Sequence, residues 1–349
     1  MIFRQLFDAE SFTYSYLLAS RHGGEALLID SVLGRVDRYL QLLDELDLRL
    51  VKVIDTHVHA DHITGMGCLR DRTKCVTVMG DRSPADVVSM RVKHGDTIDI
   101  EGISLEVIYT PGHTIDSCCF RLADRVFTGD TLLIRGTGRT DFQGGDARDA
   151  YDSLFNKLLI LPDETLVYPG HDYKGDTVST IGEERAHNPR LQVRSADEYV
   201  EIMDNLNLPN PKQMDVAVPA NIHIGAAQQA ADGDMAAWSL TSEQLIGRVD
   251  SAADLLIDLR EDNERARDGI IAGSVHAPYT RLELFMEPGG MLRQMASGKR
   301  LVFYCAFGER SALAVRAAMD IGIDDVCHLV GGIDAWAQAG GAIEKTPKD

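Results

Sequence analysis

The stretch Asp55-Thr56-His57-Val58-His59-Ala60-Asp61-His62 decides the fold, and it follows directly on the apolar run Leu50-Val51-Lys52-Val53-Ile54. Three histidines and one aspartate fall within the six positions from His57 to His62, a density of metal-ligating side chains rarely produced by chance. Imidazole and carboxylate donors suit zinc or iron. Three further groups each sit just past a strand-like segment: Pro111-Gly112-His113-Thr114, Thr128-Gly129-Asp130-Thr131 and Pro169-Gly170-His171-Asp172. Strand ends are rigid, so several of them can bring side chains to one ion. The other histidines, His22, His94, His187, His223, His276 and His328, stand alone and are expected at the surface or satisfied in the core.

Outward from that stretch, short strands are expected at Ser15–Ala19, Ala26–Ile29, Val76–Met79, Ile103–Tyr109, Cys118–Leu122, Val126–Thr128 and Leu166–Tyr168. Gly23-Gly24 marks a turn between the first two. Val36, Tyr39, Leu40, Leu43 and Leu46 recur at helical spacing, and a second helix is expected over Ala147–Leu159. Strands outnumber helices without a simple βαβ alternation, which predicts stacked sheets with helices outside. Residues 226–236, AAQQAADGDMA, carry no hydrophobic period and read as a linker between domains at 1–225 and 237–349. Beyond it, strands at Leu255–Leu259, Leu301–Tyr304 and Val326–Leu329 alternate with helices at Ser311–Asp320 and Ile333–Ala339. That order predicts a small α/β domain around a central parallel sheet. No internal repeat or low-complexity tract is present.

The chain has 349 residues, 54 of them acidic against 35 basic, for a net charge of −19. Such a surface repels phosphate backbones and anionic lipids, so neither nucleic acid nor membrane is an expected partner. With 44% hydrophobic and 26% charged residues the composition is that of a globular chain, which excludes disorder as the dominant state. Asp8 and Glu10 interrupt the apolar residues of 1–20, and no targeting segment or spanning helix is expected. Six cysteines, two of them the adjacent Cys118 and Cys119, form no disulfide framework and suit a reducing cytoplasm. A homo-oligomer is compatible with the sequence.

The series H-x-H-x-D-H, a lone His, an Asp and a final His resembles the metallo-β-lactamase superfamily. The resemblance covers about residues 1–225 and implies an αββα sandwich with a metal site at one sheet edge. Ile134-Arg135-Gly136-Thr137-Gly138-Arg139-Thr140-Asp141-Phe142-Gln143 resembles the persulfide dioxygenase branch, as do Asn205-Leu206-Asn207-Leu208-Pro209-Asn210-Pro211 and Val218-Pro219-Ala220-Asn221. The Gly136-Thr137-Gly138 run lacks a following Gly-Lys and is no phosphate loop. That branch implies one Fe(II) per chain on a 2-His-1-carboxylate face formed by His57, His113 and Asp130. His59, Asp61, His62 and His171 would then orient ligands or water around it. Arg139 and Tyr173 fall where the family holds its glutathione moiety. All seven groups of a two-metal site are nevertheless present. A dizinc thioester hydrolase resembling glyoxalase II, with an appended sulfur-binding module, is the rival.

In the second part, the strand Leu301-Val302-Phe303-Tyr304 runs into Cys305-Ala306-Phe307-Gly308-Glu309-Arg310-Ser311 before a helix. A loop at a helix N-terminus presents N–H groups and the positive dipole end, which favours a thiolate nucleophile at Cys305. Gly308 permits a tight turn, and Arg310 is expected to neutralise a bound oxyanion. Four residues between Cys305 and Arg310 resemble the ring of rhodanese sulfurtransferases. Leu256-Ile257-Asp258-Leu259-Arg260-Glu261, Ala272-Gly273-Ser274-Val275-His276-Ala277-Pro278 and Gly331-Gly332-Ile333-Asp334-Ala335-Trp336 agree with that family over about 238–345. Ala306 and Phe307 stand where many thiosulfate-using loops carry a cation. Both resemblances together imply a persulfide dioxygenase–rhodanese fusion that oxidises glutathione persulfide with O2 to sulfite and glutathione. Sulfur would pass among thiosulfate, sulfite and glutathione through a persulfide on Cys305.

Overall fold

The computed structural model describes every residue except 207, 210, 212, 226–234, 249–252, 297 and 346–349. Most of the expected linker therefore lies outside the described residues, as do Asn207 and Asn210. The chain divides into two compact units, Met1–Ala227 and Gln228–Asp349.

The first unit is built on two six-stranded sheets. One runs β1 (Ile2–Asp8), β2 (Thr13–Ala19), β3 (Glu25–Ile29), β4 (Arg49–Ile54), β5 (Val76–Gly80) and β6 (Met90–Val92) in spatial order. The other comprises β7 (Thr97–Ile100), β8 (Ile103–Tyr109), β9 (Cys118–Arg121), β10 (Arg125–Gly129), then, past a β11–β12 hairpin (Leu132–Leu133 and Gly136–Thr137), β13 (Leu166–Pro169) and β14 (Ser179–Thr180). β2 and β3 pair antiparallel across the Gly23-Gly24 turn, whereas β3, β4 and β5 run parallel. The facing sides interdigitate: Tyr16, Leu18, Leu27, Ile54 and Val78 meet Leu105, Val107, Phe120 and Phe127 in one buried core. Each large apolar side chain so buried contributes about 1.5–3 kcal/mol.

Helices cover the outer faces and complete an αββα sandwich. α1 (Val36–Glu45) and α2 (Met66–Thr73) bury Tyr39, Leu43, Met66 and Leu69 against the first sheet. α3 (Ala147–Asp152) continues as a π-helical segment over Ser153–Leu158, where the apolar spacing predicted a single α-helix. With α4 (Ile181–His187) and α5 (Ala196–Asp204) it covers the second sheet through Leu154, Leu158, Ile181 and Tyr199. α6 (Met214–Ile222) packs Val218 beside Ile224 and the first sheet's outer cluster.

The second unit has one all-parallel sheet in the order β15 (Ser239–Leu240), β19 (Val326–Leu329), β18 (Arg300–Tyr304), β16 (Asp254–Asp258), β17 (Val275–His276). Along β18 side chains alternate. Leu301 and Phe303 join Ala314, Val315 and Ala318 of α11 (Glu309–Asp320) on one face. Val302 and Tyr304 join Ile333 and Trp336 of α12 (Gly332–Gln338) on the other. α7 (Ser242–Ile246) lies with α12, whereas α9 (Leu282–Met286) and α10 (Met291–Met295) lie with α11. α8 (Asp262–Asp268) follows β16. No helix of the described residues is long and apolar enough to cross a membrane.

Candidate functional site

The C-terminal ends of β4, β8, β10 and β13 deliver His57, His113, Asp130 and His171 to one place. Ligand atoms of His57, His113 and Asp130 all lie within 4.8 Å of one another. His113 donates its Nδ1–H to the Arg139 carbonyl at 2.7 Å, which leaves Nε2 as a lone-pair donor 3.6 Å from Asp130 Oδ2. Gly138 makes that contact feasible, since a Cβ there would stand 2.8 Å from the His113 ring and 2.2 Å from the Asp130 carbonyl. His57 Nδ1 is 2.9 Å from Thr56 Oγ1. Burial, together with His59 and His113, holds the His57 imidazole well below its ordinary pKa and so neutral. Burial opposes ionisation of Asp130, but His171 and His113 hold its carboxyl below the usual range. Two imidazoles and one carboxylate so placed are a donor set that fits a transition-metal ion.

The other four motif residues pack around this triad. His171 places Nδ1 2.6 Å from Asp130 Oδ1 and Nε2 2.8 Å from Asp61 Oδ2. Burial works against its cation, yet the two carboxylates raise its pKa well above the ordinary value. Asp61 also lies 2.9 Å from His62 Nδ1. His59 Nε2 is 3.1 Å from Asp30 Oδ1; burial again opposes the charge, but Asp30 lifts the imidazole to about 9. His59 Nδ1 and His62 Nε2 are buried with no hydrogen-bond partner. Ligand atoms of His59, Asp61 and His62 likewise fall within 4.8 Å of one another. Behind them Asp55 is driven up to about 7 by burial.

A cavity of about 300 Å³ opens over His57, His113, Asp130 and His171. Arg139, Phe142, Tyr173 and Arg190 wall it. Arg139 is held by Asp141 through two contacts of 2.6 Å, and its guanidinium lies 4.9 Å from the Phe142 ring centroid. Its charge is therefore already matched, which the sequence did not indicate. Tyr173 is exposed and stacks on His171 with centroids 6.1 Å apart. Arg190, absent from the sequence expectation, bonds the Thr137 carbonyl and hydroxyl and forms no ion pair among the described residues. Its only sequence signal is a cation just after Asn188-Pro189, outside every motif.

In the second unit Cys305 directly follows β18 and is buried, its Sγ receiving the Gly308 N–H at 3.1 Å. Ser311 Oγ lies 3.8 Å away and bonds the Gly308 carbonyl. The first N–H groups of α12, from Ile333 and Asp334, bind the carbonyls of Cys305 and Ala306. Phe307 is exposed and Glu309 half-buried beside the loop. Arg310 has a partner that the sequence did not indicate. Its guanidinium forms a fully buried bidentate pair with Glu264 of α8, at 2.8 and 2.7 Å, so its charge is not left for an incoming anion.

Residues 9–171 match the metallo-beta-lactamase superfamily and residues 241–339 the rhodanese-like domain. The human protein "Persulfide dioxygenase ETHE1, mitochondrial" is 49% identical over 228 residues, 64% of this chain and 89% of that protein. The mouse counterpart is 48% identical over the same shares. The crystal structure of ETHE1 from Myxococcus xanthus superposes with TM-score 0.63 at 56% identity, covering 65% of this chain and all of that one. A metallo-beta-lactamase structure from Staphylococcus aureus covers 95% of this chain with TM-score 0.60 at 21% identity, a likeness of fold alone. The molecule is thus a metallo-β-lactamase-fold domain followed by a rhodanese-like domain. Within that class, the chain belongs to the ETHE1 persulfide dioxygenase family.

Proposed function

We propose that residues 1–225 form an iron-dependent dioxygenase that oxidises glutathione persulfide, and that residues 237–349 form a sulfurtransferase working through Cys305. The observation that carries the first part is the convergence of His57, His113 and Asp130 within 4.8 Å, with His113 held to the Nε2-donor tautomer. The kinship with persulfide dioxygenases over 89% of the human protein supports it. One persulfide, one O2 and one water become one glutathione, one sulfite and two protons. Fe(II), one per chain on those three residues, supplies electron transfer to O2 that redox-inert zinc lacks.

This chain's own residues do the rest. Arg190, with no carboxylate partner among the described residues, takes a carboxylate of the glutathione moiety, a bidentate match for guanidinium. Arg139 and Tyr173 form the walls on either side of that moiety. His171 pins Asp130 from behind, so the carboxylate keeps its orientation as substrate enters. In the second unit the Cys305 thiolate attacks the outer sulfur of thiosulfate. The S–S bond breaks, sulfite leaves with the electron pair, and glutathione then takes the sulfur from Cys305. Run backward, the same steps turn sulfite and glutathione persulfide into thiosulfate. A reducing compartment such as the cytoplasm suits six cysteines that form no disulfide among the described residues.

A dizinc hydrolase is the second reading, favoured by the unpartnered His59 Nδ1 and His62 Nε2 beside Asp61. Elemental analysis of protein purified from iron-rich and zinc-rich media separates the two. The dioxygenase reading expects one iron per chain, lost in Asp130→Ala. Two zinc ions per chain in both media would favour the hydrolase.

A further inference from the structure

Asn221 lies in the last turn of α6, close to 160 residues from the metal loop in sequence and in contact with it in space. Its side chain is 2% exposed. The Nδ2–H groups donate to the carbonyls of His59 at 2.9 Å and His62 at 2.8 Å, and Oδ1 accepts the Thr64 N–H at 2.9 Å. Among the described residues no backbone N–H reaches either carbonyl. Two donors and one acceptor in a single plane are what a primary amide offers; aspartate has no donor and leucine has neither. The chain just beyond Asn221 is clamped to the same loop. Gly67 N–H bonds the Ile224 carbonyl at 2.9 Å, and Gly225, at φ +68°, presses so close that a Cβ would stand 2.1 Å from the Thr64 carbonyl.

We infer that Asn221 is a positioning residue for the metal centre, acting from outside the coordination sphere. By holding the backbone at His59, His62 and Thr64 it sets Asp61, which meets His171, which in turn orients Asp130. The inference rests on the reading of His57, His113 and Asp130 as metal ligands. Held at both carbonyls, the backbone at His59 and His62 is restrained by the one amide. Asparagine here serves the loop, not the helix: the residue has poor helix propensity, and α6 already carries Pro219.

The test compares iron retention under a chelator challenge in the full chain, wild type against Asn221→Leu and Asn221→Ser. Ala217→Gly is the control, because it loosens the same helix without removing a contact to the loop carbonyls. The Asn221 variants are expected to release iron at least about tenfold faster. They should also alter the EPR spectrum of the ferrous protein treated with nitric oxide, and lower kcat with KM for glutathione persulfide within about twofold. Ala217→Gly should retain iron as wild type does. Wild-type retention and spectrum in Asn221→Ser would overturn the inference, as would equal iron loss in Ala217→Gly. A wild-type protein that binds no iron would instead contradict the iron reading. The same challenge with zinc would then decide the role of Asn221.

Discussion

Arg310 and Glu264 face each other with both side chains at most 1% exposed, joined by two hydrogen bonds of 2.7 and 2.8 Å. A buried pair of this kind is costly to break from one side, because the remaining charge is left without water or partner. Glu264→Gln is expected to destabilise the second unit by about 3–5 kcal/mol. In calorimetry of the full chain one transition should move down and the other stay in place. A variant with unchanged unfolding but lost sulfur transfer would mean that Arg310 serves the substrate instead.

His328 gives the second unit a pH dependence. It is buried between Ser239 and Ser311, and burial pulls its pKa down to about 4. Unfolded histidine titrates near 6.5, so between about pH 6.5 and 4 the unfolded chain binds the proton that the folded one refuses. The stability present above pH 6.5 therefore falls as pH drops through that window, by at most about 1.4 kcal/mol per pH unit, and levels below it. Urea unfolding of wild type and His328→Asn at pH 7 and pH 5 should show a smaller loss in the variant. Equal losses would remove His328 from the account.

Gly138→Ala should disturb the metal centre without replacing any ligand. The added methyl meets the His113 ring and the Asp130 carbonyl. Bound iron per chain should drop at least about tenfold under a chelator challenge. Full retention would mean that the loop yields and His113 is held by other means.

Arg190→Ala should raise KM for glutathione persulfide by about 10- to 100-fold, the loss of one charge-assisted contact, with kcat little changed. Arg139→Ala should act differently, since Arg139 already bonds Asp141 and the carbonyls of Leu208 and Pro209. Its loss loosens the wall and lowers kcat as well. Initial-rate kinetics on the two variants checks the contrast; identical behaviour would contradict it.

Residues that act within a few positions of each other were legible in the sequence. The His57–His62 cluster, the hairpin at Gly23-Gly24 and the parallel strands of the second unit announce themselves by spacing and by apolar runs. β1 was not legible, because Ile2-Phe3-Arg4-Gln5-Leu6 lies at a sheet edge and is only partly buried, so its pattern is mixed. The helix expected over Ala147–Leu159 did not separate α from π winding. Other misses are partnerships over distance. Glu264 lies 46 residues before Arg310, and Asn221 meets a loop far upstream. Such pairings depend on packing, which no local pattern encodes.

Oxygen uptake by the iron-loaded chain given glutathione persulfide, with Cys305→Ser beside wild type, tests the central claim most directly. Both proteins should consume one O2 per persulfide and release sulfite at equal rates, while only wild type transfers sulfur from thiosulfate to glutathione. No oxygen uptake from protein shown to hold iron, with hydrolysis of S-lactoylglutathione in its place, would contradict the dioxygenase account.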